Sequence, residues 1–138
     1  MSSGSAAVAD VRAGTELGRR WMQAVNDRDA EALVELADPS ITFYPARLLG
    51  NRTCYDGYAG LRQWIAELAA SRYPLAERVT DIEATQRNGI VVFGQVLVHD
   101  RALAPFSLLL SVRDGRVVEA HGYLSDRATI QKLGYLVA

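Results

Sequence analysis

Two histidines and the acids beside them are the residues of this chain best suited to moving a proton near neutral pH. His99 is followed by Asp100 and Arg101, and His121 lies two residues after Glu119 and two before Tyr123. An imidazole can take a proton while a nearby carboxylate orients it or balances its charge. Neighbours on a strand point to opposite faces, so His99 and Asp100 share a cavity only across a bulge; otherwise they form a solvated strand end before a turn. The same alternation separates Glu119, His121 and Tyr123 from Val118, Ala120, Gly122 and Leu124, and only one set can face inward. Asp126 is a further acid, although an acid in a first helical turn is also stabilised by the helix dipole. Trp21, Tyr44 and Trp64 can line an apolar pocket or simply fill a core. These histidines and acids lack metal-ligand spacing, and no phosphate-binding glycine loop or dinucleotide fingerprint is present, so no metal and no cofactor are expected. Cys54 is the only cysteine; no intrachain disulfide can form, and it reads as a small buried hydrophobe.

The elements that must position these groups follow from periodicity. Gly14, Leu17, Trp21, Ala24 and Val25 recur at helical spacing and predict a helix from about Asp10 to Arg28. Asp29 caps a second helix, Ala30 to Ala37, which Pro39 cannot continue. Ser40 to Tyr44 alternates as a short strand, with Ile41 and Phe43 on one side and Thr42 and Tyr44 on the other. A short strand is also expected around Arg52 to Tyr55. Asp56 then caps a third helix, Tyr58 to Ser71, with Leu61, Trp64, Ile65, Leu68 and Ala69 as its apolar stripe. The period then changes to two. Leu75 to Arg87 and Ile90 to Asp100 flank Asn88-Gly89, and Phe106 to Arg113 and Arg116 to Leu124 flank Asp114-Gly115; both are hairpin signals. Pro105 fits a strand start or an edge. Ser125 caps a final helix, Asp126 to about Leu133, with Gly134 as its stop.

The order predicts one α+β domain: a cone-shaped, curved antiparallel sheet with helices packed on its concave face, over residues 10–138. Residues 1–9, rich in Ser, Gly and Ala, read as a disordered tail without the basic start and apolar centre of a secretory signal. Of the 138 residues, 49% are hydrophobic and 22% charged, which is a globular composition. A net charge of -1 without Lys/Arg clusters argues against nucleic acid, and no apolar run reaches the roughly 20 residues of a membrane helix. A cytoplasmic location is expected.

Three segments carry a family resemblance: WMQAVNDRDAEALVELADPSITFYP, YDGYAGLRQWI and DGRVVEAHGYLSDRATIQKLG. With them the chain, from about Val11 to Leu136, resembles the nuclear-transport-factor-2-like superfamily, and more narrowly its SnoaL-like polyketide cyclase and ketosteroid isomerase group. The resemblance implies a cavity at the open end of the cone. It also places Trp21, Tyr44 and approximately Leu108 where ketosteroid isomerases keep a tyrosine and two aspartates. An indole offers no acidic hydroxyl, and a phenol with a pKa of about 10 is a poor base, so that isomerase chemistry is not expected from those positions. SnoaL-like cyclases use a histidine and an aspartate as an acid/base pair. Asp126 matches the aspartate that opens the last segment of many such chains, and the resemblance turns Leu124 inward.

The expectation is therefore a small-molecule cavity for an apolar, carbonyl-containing compound. His99 or His121 would move the proton, Asp100 or Asp126 would assist, Tyr44 would donate a hydrogen bond, and Trp21, Trp64, Leu108 and Leu124 would shape the pocket. The alternatives are a non-catalytic ligand binder and a dimeric interaction module. A homodimer is expected through an uncovered sheet face bearing Ser107, Leu109 and Ser111.

Overall fold

A computed structural model describes residues 3–46, 49, 52–71, 75–85 and 89–132, with only the backbone given for 3–11 and 131. The first helix, α1, spans Ser3–Asn26 and so takes in most of the stretch expected as a tail, where alanines favour helix. It ends where Arg28 adopts φ 56°, and Asp29 N–H turns back onto the Ala24 carbonyl. Asp29 then caps α2, Ala30–Glu35, by accepting from the Ala32 N–H.

The strand β1 runs Ala37–Tyr44 and is longer than its alternation suggested, because Ala37 already pairs with Val117. Pro39, which has no ladder donor, falls within the register shift between Ala37 and Thr42. The two-residue strand β2, Tyr55–Asp56, leads into α3, Gly57–Ala69. Four long strands follow: β3 Leu75–Ala84, β4 Gly89–Val98, β5 Arg101–Arg113 and β6 Arg116–Tyr123. The short helix α4, Arg127–Lys132, ends the described chain.

The six strands form one curved, unclosed sheet in the order β2-β1-β6-β5-β4-β3. All neighbours are antiparallel except β1 and β6, which run parallel. Asp114-Gly115 makes the expected turn, with φ 53° and 76°. Asn88 lies outside the described residues, as do Leu133 and Gly134. Pro105 is inside β5 rather than at its start, next to the irregularity where Val96 faces Ala104 but Leu97 faces Ala102.

One face of the sheet, α1, α2 and α3 enclose the main core, where Trp21, Leu33, Ile41, Phe43, Leu61 and Leu110 are buried. Gly94 serves a close approach: a Cβ there would stand 2.2 Å from the Arg78 carbonyl oxygen and 2.6 Å from the Phe106 ring. On the other face α4 lays Ile130 over Val91, Phe93 and Leu109. Arg127 sits 4.6 Å above the Phe93 ring and ion-pairs with Asp81 and Glu83 of β3.

Candidate functional site

Helix α1 contributes Trp21 and Val25 to a cavity between the helices and the sheet, and α3 contributes Trp64. Phe43 of β1, Glu77 of β3, Phe106 and Leu108 of β5, and Gly122 of β6 line the rest, with Ala46 and Leu49 after β1. The space open to the centre of a water-sized sphere is about 20 Å³. Adding back a water's radius of about 1.4 Å leaves room for a ligand of a handful of heavy atoms. The rings fix one another. Phe43 meets Trp64 edge-on at 4.4 Å between centroids, and Trp21 meets Phe43 in the same manner at 6.5 Å.

Glu77 is the one charged side chain among the described residues of this lining. Burial pushes its carboxyl up to about 7, partly offset by the Arg28 guanidinium. Its backbone is clamped on both sides by Asn26 at the end of α1. Asn26 Nδ2 donates to the Glu77 carbonyl at 2.8 Å, and the Glu77 N–H donates to Asn26 Oδ1 at 3.0 Å. Arg28 ties the same helix end to the Val25 and Leu75 carbonyls. The indole N–H of Trp64 donates to the Leu49 carbonyl. That of Trp21 is buried and has no hydrogen-bond partner among the described residues.

The structure gathers Trp21, Trp64 and Leu108 at this cavity and places the other expected residues elsewhere. Tyr44 is not part of the lining: its neighbour Phe43 faces in, so Tyr44 faces out, at 36% exposure. There it stacks on His121 at 4.3 Å and 14°, and partial burial holds its phenol above the ordinary value. His121 contacts Glu119 on that outer face, while Ala120 enters the core and Gly122 the cavity. Leu124 turns inward against the main core, clear of the cavity lining. His99 and Asp100 are exposed and form the β4–β5 turn itself, with φ 51° and 64°, because the chain reverses there directly.

Asp126 is a helix cap. Its Oδ1 accepts from the Thr129 N–H and hydroxyl, both at 3.0 Å, and these bonds hold its carboxyl below the ordinary value. It replaces Ser125 as the cap of α4. The thiol of Cys54 is half-buried and donates to Asp56, and burial first, then Asp56, raises its pKa. Of the face expected to be uncovered, Ser107 is fully buried, donating to the Ser125 carbonyl at 2.7 Å, and Leu109 lies beneath α4; Ser111 is exposed.

Glu77 was not among the residues expected from sequence. Its signal was present: it stands between Leu75 and Val79 in a period-two run, on the apolar side of β3. The bulge between Val79 and Asp81 then shifts the parity, so that Ile82 also faces in, opposite Val92, and obscures the pattern.

A model of the SnoaL-like domain family matches residues 18–120. The chain belongs to this family. No curated protein matches the sequence. Among solved structures, this SnoaL-like domain is similar to a protein from Kribbella flavida described as a candidate ketosteroid isomerase, with TM-score 0.68 and 17% identity over 85% of this chain and 81% of that one. It is similar to Bal32a from a soil-derived mobile gene cassette, with TM-score 0.72 and 12% identity over 91% and 98%. It is also similar to a protein of ketosteroid isomerase-like fold from Catenulispora acidiphila in complex with trimethylamine, with TM-score 0.66 and 16% identity over 88% and 94%. At these identities the likeness concerns the fold, and it agrees with the cone of six strands and covering helices. Among the described residues no helix is long and apolar enough to cross a membrane.

Proposed function

We propose that this SnoaL-like domain is a cofactor-free proton-transfer enzyme of the isomerase, lyase or cyclase kind, acting on a small, largely apolar carbonyl compound. The observation that carries the reading is the place of Glu77, a half-buried glutamate lining a cavity of aromatic rings, where burial pushes its carboxyl up to about 7. A general base works best when its pKa lies near the working pH, and burial is the usual way to bring a carboxylate there. The unpartnered Trp21 N–H would donate to the carbonyl oxygen as negative charge develops on it. Glu77 takes in this scheme the place of the histidine–aspartate chemistry expected from sequence, since His99 and His121 lie away from the described cavity lining. The Catenulispora structure's trimethylamine is itself a few atoms in size and supports a small-ligand reading. A homodimer in the cytoplasm completes the proposal. Its contact would use the Tyr44–His121 face and Ser111, and sedimentation showing a monomer at high concentration would remove it.

The test follows α-proton exchange of small ketones in heavy water by NMR. The wild-type protein is expected to accelerate exchange, and Glu77→Gln to lower the rate by about 10²–10⁴-fold with the fold intact. Ketones that bind without Glu77-dependent exchange would leave a non-catalytic binder as the better reading.

A further inference from the structure

The cavity unites two features that suit a cation. Four aromatic rings, Trp21, Phe43, Trp64 and Phe106, come from four different elements, and the one charged group among the described lining residues is a carboxylate. Aromatic faces carry negative potential and attract ammonium groups, most strongly where water is excluded. We propose that this cavity is also a site for a small alkylated ammonium ion, with Glu77 as its counter-charge and the four rings as its apolar surround. The inference rests on the cavity of the preceding section and not on the proton transfer assigned to it.

The chemistry of the lining selects the degree of alkylation. A primary ammonium brings three N–H donors and needs an acceptor for each. The lining offers the Glu77 carboxylate, and the Leu49 carbonyl already accepts from the Trp64 N–H, which leaves it one lone pair. A quaternary or tertiary ammonium brings no donor or one, and its methyl groups fill apolar space. The size agrees, because tetramethylammonium is a handful of heavy atoms. Among the described residues the charge environment is also simple. Arg28, two residues past the end of α1, is the charged group among the described residues that acts on Glu77. Asn26 beside it is neutral, and Val96, which pairs with Glu77 from β4, is apolar. The lining from β1, α3, β5 and β6 adds no charge. The protonation state of Glu77 then divides the ligands: the neutral acid accommodates a neutral compound, and the carboxylate draws the cation. Alkylammonium ions would accordingly compete with the carbonyl ligand.

The experiment titrates the full chain with tetramethylammonium chloride at pH 8.5 and pH 5.5, following indole NMR shifts. The same titration is made with 3,3-dimethyl-1-butanol set against choline, its charged isostere. Saturable tetramethylammonium binding, tighter by at least about tenfold at pH 8.5, is expected, because Glu77 titrates between the two values. Choline should bind more tightly than the alcohol at pH 8.5. Glu77→Gln should lose the pH dependence and the preference for charge while still binding the alcohol. Absence of saturable binding at pH 8.5, equal affinity for choline and the alcohol, or unchanged tetramethylammonium affinity in Glu77→Gln would each overturn the proposal. Glu77-dependent ketone exchange without ammonium binding would overturn this inference alone. Ammonium binding without exchange would overturn the proton-transfer reading alone.

Discussion

Glu77 joins stability to function through a single proton. Burial in the folded chain pushes its carboxyl up to about 7 from the ordinary value of 4.5. The folded state therefore holds a proton that the unfolded state has released between those values. Stability attached to this group is complete below about pH 4.5 and declines as pH rises through 7. Glu77→Gln keeps the shape and removes the titration. Urea midpoints should show the variant and wild type nearly equal at pH 4, and the variant more stable by about 2–3 kcal/mol at pH 8. No change in their relative stability between the two pH values would mean the carboxyl is better solvated than its place in the cavity implies. Arg28 acts in the other direction, since its cation favours the ionised carboxyl. Arg28→Gln should raise the Glu77 pKa above its present value, read from the side-chain carboxyl shift in an NMR titration. Little of this was legible in the sequence. Alternation puts Glu77 on one face with Leu75 and Val79, but a glutamate there reads as solvent-facing, and the pairing with β4 is what sets that face inward. The histidines stood out for the complementary reason: residue type advertises chemistry, while turn geometry at His99 and outward parity at His121 keep both from the described cavity lining.

At the level of elements, the end of α1 is fastened to the start of β3 by side chains rather than by a ladder. Asn26 exchanges two hydrogen bonds with the Glu77 backbone, and Arg28 spans from Val25 to Leu75. This junction sets where the carboxylate stands relative to Trp21 and Val25, one turn apart on α1. Asn26→Ala removes both amide bonds and should cost about 1–2 kcal/mol in stability. It should also weaken ligand binding through a looser Glu77, whereas Gln23→Ala on the exposed side of the same helix should leave binding unchanged; equal affinity in both variants would show the clamp to be purely structural. The helix itself was readable from Leu17, Trp21, Ala24 and Val25, and so was the Asp29 cap that follows it. What Asn26 grips was not readable, because its partner is 51 residues away. The long partnership of β1 with β6 escaped in the same way: the turns announce hairpins, but a parallel neighbour is announced by nothing local.

Across the whole molecule, the cavity lining draws on α1, β1, α3, β3, β5 and β6. A ligand there touches most of the fold at once, so its binding energy should oppose global unfolding rather than the opening of one loop. At a hundredfold excess over Kd the linkage is worth about 2.7 kcal/mol. For a chain of this size that corresponds to a rise in Tm of roughly 5–10 °C in a single transition. The outer side of the sheet behaves differently. There α4 is only six residues long, held by Ile130 in a small second cluster and by Arg127 across Phe93, Asp81 and Glu83. None of these groups borders the cavity. Hydrogen exchange with saturating ligand should therefore slow in the buried strands β4 to β6 and in α1, while α4 amides continue to exchange by local opening at their ligand-free rate. A ligand that protected α4 as strongly as β5 would mean that the two faces of the sheet are coupled through the strands between Ile130 and the cavity.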